Sequence, residues 1–178
     1  MKPLLFILLL TVASFGQLNN DIAAKIKTFP KPKQYIYTFD KFTNTSRISY
    51  FNRVKASNIL DIYVTYAIKT NDGKTSEAYW LRFNTAGREW QFLHNDSFSW
   101  LIDGKTGTLE KGERSSEISK YALLYESLIW DVSPDLLESL SKGNEVEIRV
   151  SRTEAKLDAG FKEGIGNVLL IAKAMRGE

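Results

Sequence analysis

Few residues in this chain can do covalent chemistry, and their scarcity narrows the reaction classes first. His94 is the single histidine and there is no cysteine among the 178 residues. A histidine or thiolate zinc site therefore cannot be assembled within one chain, and thiol nucleophiles and iron–sulfur clusters are excluded. A histidine general base would have to be His94 itself, at the end of an aromatic strand where a hydrogen-bonded strand terminator is the expected role. Ser97 and Ser99 follow closely but lack the setting of a nucleophile elbow. Gly160-Phe161-Lys162-Glu163-Gly164 has neither the spacing nor the closing Lys-Ser/Thr pair of a phosphate loop. Carboxylates remain: Asp96, Asp103, Glu126 and Asp131 stand near strand ends or apolar runs, and a glycosidase would need two such groups facing one cleft. Asp is equally favoured in turns, so no catalytic residue is assigned. No metal or cofactor is expected, and a binding role is expected ahead of an enzymatic one.

Binding chemistry is better represented, and it depends on strands. From Ile59, the residues Leu60, Ile62, Val64, Tyr66 and Ile68 alternate with polar or smaller ones up to Asn71-Asp72-Gly73-Lys74, where Asp-Gly suits the centre of a type I′ turn. The resulting hairpin pairs Ile68 with Glu77, Tyr66 with Tyr79, Val64 with Leu81 and Ile62 with Phe83. A second turn at Ala86-Gly87 would add a third strand, setting Phe83 opposite Trp90, Leu81 opposite Phe92 and Tyr79 opposite His94. These registers leave another face carrying Tyr63, Arg82 and Gln91 in one row and Thr65, Trp80 and Leu93 in the next. Aromatic residues beside an arginine are the composition of an interaction surface, so Tyr63, Trp80, Arg82, Gln91 and Leu93 are the candidate binding residues.

The elements that hold this face follow from the same patterning. Tyr35, Tyr37 and Phe39 mark a first strand, Ile48 to Phe51 a second, Phe98, Trp100 and Ile102 another that ends at Asp103-Gly104-Lys105, and Thr106 to Leu109 its return. Residues 114–131 suit either a helix or a strand, and a strand is expected from about Ala122. Leu128 to Val132 leads into Ser133-Pro134, a cap and first-turn pair. Leu136, Leu137 and Leu140 then share one side of a short helix closed at Lys142-Gly143, and Val146, Ile148 and Val150 alternate with charged residues as a strand. Phe161, Ile165, Val168, Leu169 and Ala172 give a C-terminal helical stripe. These elements predict an α+β protein: a curved antiparallel β-meander of about six to eight strands, packed on its aromatic face by two helices.

At the other end, Lys2, the apolar run from Leu4 to Val12 and Ser14-Phe15-Gly16 have the layout of a signal peptide cut before Gln17. The run is short of the roughly 20 residues of a membrane span, so no span is expected in the mature chain. No cysteine is present to carry a lipid anchor. Residues 17–34, with Lys25, Lys27, Lys31 and Lys33 around Pro30 and Pro32, are expected to form a solvated polar arm, a short helix at best followed by an extended lead-in. Residues 35–178 are expected to form one domain. The formal net charge is +3, and +3 less Lys2 leaves +2, too small a bias to imply a nucleic-acid partner.

The leader resembles export signals of Bacteroidetes-like Gram-negative bacteria. Tyr79-Trp80-Leu81-Arg82-Phe83, Ile102-Asp103-Gly104-Lys105 and Ser133 through Val150 resemble pieces of uncharacterised exported α+β domains from such bacteria. That resemblance implies a fold and a periplasmic or extracellular location, and carries no catalytic residue with it. The expectation is an exported, non-enzymatic domain that binds an envelope protein, peptide or glycan. A hydrolase of envelope polymers using paired carboxylates and a secreted enzyme inhibitor are the alternatives.

Overall fold

The computed structural model describes residues 18–55, 59–72, 74–92, 97–119 and 123–178. The leader assigned to residues 1–16 lies outside them. Among the described residues, three α-helices and ten strands form an α+β fold with two open antiparallel sheets, one of six strands and one of four. No described helix is long and apolar enough to cross a membrane.

The larger sheet has the order β1-β2-β3-β4-β8-β7, built from β1 (Tyr35–Asp40), β2 (Thr45–Lys55), β3 (Ile59–Asn71), β4 (Lys74–Gly87), β7 (Glu113–Ile118) and β8 (Leu124–Asp131). Its central hairpin has the register expected from alternation, with Ile62 opposite Phe83, Val64 opposite Leu81, Tyr66 opposite Tyr79 and Ile68 opposite Glu77. Asp72 sits at φ 49°, in the left-handed region that the tight turn requires.

The third strand is a correction. Ala86 and Gly87 do not turn the chain; they stay in β4 and pair with Tyr125 and Leu124. The partner of β4 is β8, which sets Leu128 against Phe83 and Trp130 against Leu81. The physical reason is burial. Trp130 is buried, with its ring 5.7 Å from Phe83 and 5.8 Å from Phe98, whereas Trp90, the residue expected opposite Phe83, is 42% exposed. Trp130 also lies so close to Gly112 that a Cβ there would come within 2.5 Å of the indole.

The remaining strands form a separate sheet, order β10-β9-β5-β6, where the meander reading had one continuous sheet. β5 (Phe98–Ile102) and β6 (Lys105–Leu109) are joined by Asp103 and Gly104, both at positive φ. β9 (Val146–Val150) pairs with the other side of β5 and with β10 (Thr153–Lys156), a short polar strand that alternation did not reveal. Phe98 joins the two sheets, its ring 5.2 Å from Phe83.

The helices all lie on one side of the larger sheet. In α3 (Ala159–Arg176), Phe161, Ile165, Val168, Ile171 and Ala172 are buried. Asn167 donates to the Tyr35 hydroxyl at 2.9 Å and Arg176 to the Tyr79 hydroxyl at 2.9 Å, both on the core face. α2 (Pro134–Lys142) begins where the sequence implies, with Ser133 Oγ accepting from the Leu136 amide at 3.1 Å, and buries Leu137 and Leu140. Residues 18–27 form the short helix α1, and what is corrected is its solvation: Ile22 and Ile26 enter the core and Asn19 accepts a hydrogen bond from Tyr37. Apolar residues at i and i+4, Ile22 and Ile26, outweigh Lys25 and Lys27 beside them.

Candidate binding face

Because α1, α2 and α3 occupy one side, the alternate residues of the larger sheet form a second face built only from its own side chains. On it, Phe51, Tyr63, Arg82 and Ile129 make one cross-strand row, and Ile36, Ser49, Thr65, Trp80 and Asp131 make the next. Tyr63, Trp80 and Arg82 are all partly exposed. The hairpin brings these three candidates together as expected. It does not bring Gln91. That residue lies in the connection after β4, where its amide donates to Glu126 and its carbonyl accepts from Ser151. Glu126 faces the core, so Gln91 is held on the other side of β8. Leu93 lies outside the described residues, as do His94 and Asp96.

The face has a defined electrostatic texture. The Arg82 guanidinium lies over Tyr63 at 4.4 Å from the ring centroid, and Tyr63 stacks on Phe51 at 5.8 Å. Arg47 sits 6.0 Å above the Trp80 ring. Such cation–π contacts contribute about 0.5–1 kcal/mol at exposed sites. Arg53 is engaged differently, in a two-point ion pair with Asp61 at 2.7 and 3.2 Å. Among the described residues, neither Arg47 nor Arg82 has a carboxylate within ion-pair distance. Two cations thus lie beside two aromatic surfaces with no carboxylate partner among the described residues. Ser49 and Thr65 share a hydroxyl hydrogen bond of 2.9 Å below Trp80.

Arg47, Phe51 and Ile129 are members of this face that the sequence reading did not include. Alternation in β2, with Ile48 and Tyr50 inward, implies that Arg47, Ser49 and Phe51 point outward, so the first two absent residues were accessible to the period-two argument. Ile129 was not, because its place depends on the pairing of β8 with β4.

Of the carboxylates named as catalytic candidates, the three described ones, Asp103, Glu126 and Asp131, do not share a cleft. Asp103 accepts the Glu145 amide at 2.9 Å and the Asn144 amide at 3.2 Å, and these backbone bonds hold its carboxyl below the usual range. Glu126 is buried and accepts the Gln91 and Phe92 amides. Asp131 is exposed beside Trp80; five positions from Glu126 on one strand, it points to the opposite face. Ser99 bonds to Thr108 on the smaller sheet at 3.1 Å, and Ser97 is buried beside the turn after β9. Among the described residues, no three His, Asp or Glu side chains gather as a metal site. No family model, no curated protein and no solved structure matches this chain.

Proposed function

We propose that this protein is a non-enzymatic binding domain exported to the periplasm or cell surface of a Gram-negative bacterium. It holds an envelope protein, peptide or glycan on the outer face of the larger sheet. The observation that carries the reading is the row Phe51, Tyr63, Arg82 beside Arg47 and Trp80. There, aromatic surfaces and arginines that have no carboxylate partner among the described residues lie side by side on a face that no described helix covers. Aromatic and arginine side chains supply most of the binding energy at interfaces, because they offer large rigid area and several donors together. The dispersal of Asp103, Glu126 and Asp131 over different faces weighs against the hydrolase reading.

The test is capture from a native envelope extract, with protein and polysaccharide fractions both analysed, by the parent protein, Trp80→Ser and Leu101→Ser. Leu101 is exposed on the smaller sheet and controls for loss of an unrelated apolar group. A ligand held by the parent and by Leu101→Ser, and lost by Trp80→Ser, is the expected result. Equal capture by folded Trp80→Ser overturns the assignment of this face.

A further inference from the structure

Between β4, β8 and β7 the outer face deepens into a cleft of about 340 Å³ lined by Arg82, Asn84, Ser115, Glu117, Tyr125 and Ser127, with Ile129 as an apolar wall. That volume is at the small end of the range for ligand pockets, roughly 300–1,000 Å³. Among the described residues, three side-chain atoms here are buried without a hydrogen-bond partner: Arg82 Nε, Asn84 Oδ1 and Ser127 Oγ. The clustering is the telling point. Among the described residues only one other side-chain atom shares that condition, the Trp130 indole nitrogen in the core. An unsatisfied buried polar group costs about 1–3 kcal/mol, and folded proteins keep few of them. By contrast, in the cleft on the smaller sheet Ser99 pairs with Thr108 and Arg149 with Glu154.

The unpaired groups also specify chemistry. Asn84, Ser127 and Ser115 form one cross-strand row, and Arg82 lies two residues along β4 on the same face, about 7 Å away. Arg82 Nε–H is a donor, on a guanidinium that lies over the Tyr63 ring at 4.4 Å from its centroid. Asn84 Oδ1 accepts, and a serine hydroxyl does either. An anion would be served by donors alone, and the Glu117 carboxylate on the rim repels it. A ligand whose own groups both donate and accept matches this set, and the Tyr125 ring, 46% exposed, offers an apolar surface to its C–H face. From this arrangement we infer that the cleft is a saccharide subsite, occupied by one sugar ring of a glycan lying across the outer face. This rests on the reading of that face as the binding surface and names its ligand class.

The experiment is ¹⁵N NMR titration of the purified full-length protein, following the Arg82 Nε–H, the Asn84 side-chain amide and the Trp80 indole N–H. The probes are maltotriose, cellotriose and the N-acetylglucosamine trimer, with acetate as the anion probe. The inference expects saturable shifts of the Arg82 and Asn84 signals with at least one trisaccharide. It also expects about tenfold weaker binding in Asn84→Ala and in Ser127→Ala, each checked by an otherwise unchanged spectrum, as loss of one hydrogen bond implies. Acetate producing the same shifts would make it an anion site and overturn the inference. Failure of all three sugars to move those signals would reduce the cleft to a solvated groove. Movement of the Trp80 signal alone would discard the saccharide subsite and leave the binding face intact.

Discussion

Two glycines in α3 test the packing beneath the proposed binding face, because the structure assigns them opposite signs. A Cβ built on Gly164 would lie 2.2 Å from both Cε1 and Cζ of Tyr50, whereas nothing lies within 4 Å of a Cβ on Gly166. Restoring even a tight 3.4 Å contact at Gly164 requires the ring or the helix to move 3.4 less 2.2, or 1.2 Å. Tyr50 has little room to yield. It is 2% exposed, lies 4.9 Å from the Tyr35 ring and 5.7 Å from the Phe161 ring, and donates to the Gly160 carbonyl at 3.2 Å.

Overpacking of this kind costs about 1–3 kcal/mol. Loss of the Tyr50 hydrogen bond adds about 1 kcal/mol, and the helix preference of alanine over glycine returns about 1 kcal/mol. Gly164→Ala is therefore expected to destabilise by about 1–3 kcal/mol. Gly166→Ala keeps only the favourable term and should stabilise by about 0.4–1 kcal/mol. With a urea slope of about 2 kcal/mol per molar, the two midpoints should stand about 1–2 M apart. Equilibrium urea unfolding of both variants and the parent, with slopes compared, is the assay. A Gly164→Ala midpoint at or above the parent's, with slope unchanged, would refute the close seating of α3 on Tyr50. A lowered Gly166→Ala midpoint would show that this position is not the open one described.

Other outcomes follow from individual contacts. Ser133→Ala should cost about 1 kcal/mol through loss of the α2 cap, and an unchanged urea midpoint would refute that helix start. Trp80→Ser, on the partly exposed face, should cost under about 1.5 kcal/mol, against about 3–5 kcal/mol for the buried Phe83→Ala; equal losses in the same urea assay would place Trp80 in the core. Tyr35, Tyr37, Tyr50, Tyr66 and Tyr79 have phenols pushed above their usual range, chiefly by burial. The unfolded chain releases these protons near pH 10 and the folded chain holds them longer. Their contribution is therefore full below about pH 10 and lost as pH rises through the higher folded values. Urea midpoints that do not fall between about pH 9 and about pH 11 would contradict that linkage.

What could be read from the chain divides by sequence distance. The β3–β4 hairpin was legible because Ile62 to Ile68 and Glu77 to Phe83 flank one Asp-Gly turn, so a local signal and a period of two decide the register together. Tyr63, Trp80 and Arg82 inherit that certainty. Gln91 was misplaced because Ala86-Gly87 mimics a turn, while the burial that overrides it comes from Leu128 and Trp130, far along the chain. The same distance hid the smaller sheet, where Phe98, Trp100 and Ile102 pair with Val150, Ile148 and Val146. No local pattern announces that partnership.

This division runs through the binding face itself. Its aromatic half, Tyr63 and Trp80 with Arg82, is positioned by the local hairpin, and its polar half, Asn84 with Ser127 and Ser115, exists only because β8 docks on β4 and β7 on β8. Arg82 belongs to both, stacked on Tyr63 on one side and lining the cleft on the other. The two halves can therefore change separately. Substitutions outward on β8 and β7 alter which hydrogen bonds the cleft offers and leave the aromatic stack standing. Changes at Arg82 disturb both halves together, because it is the one side chain that touches the Tyr63 ring and also lines the cleft.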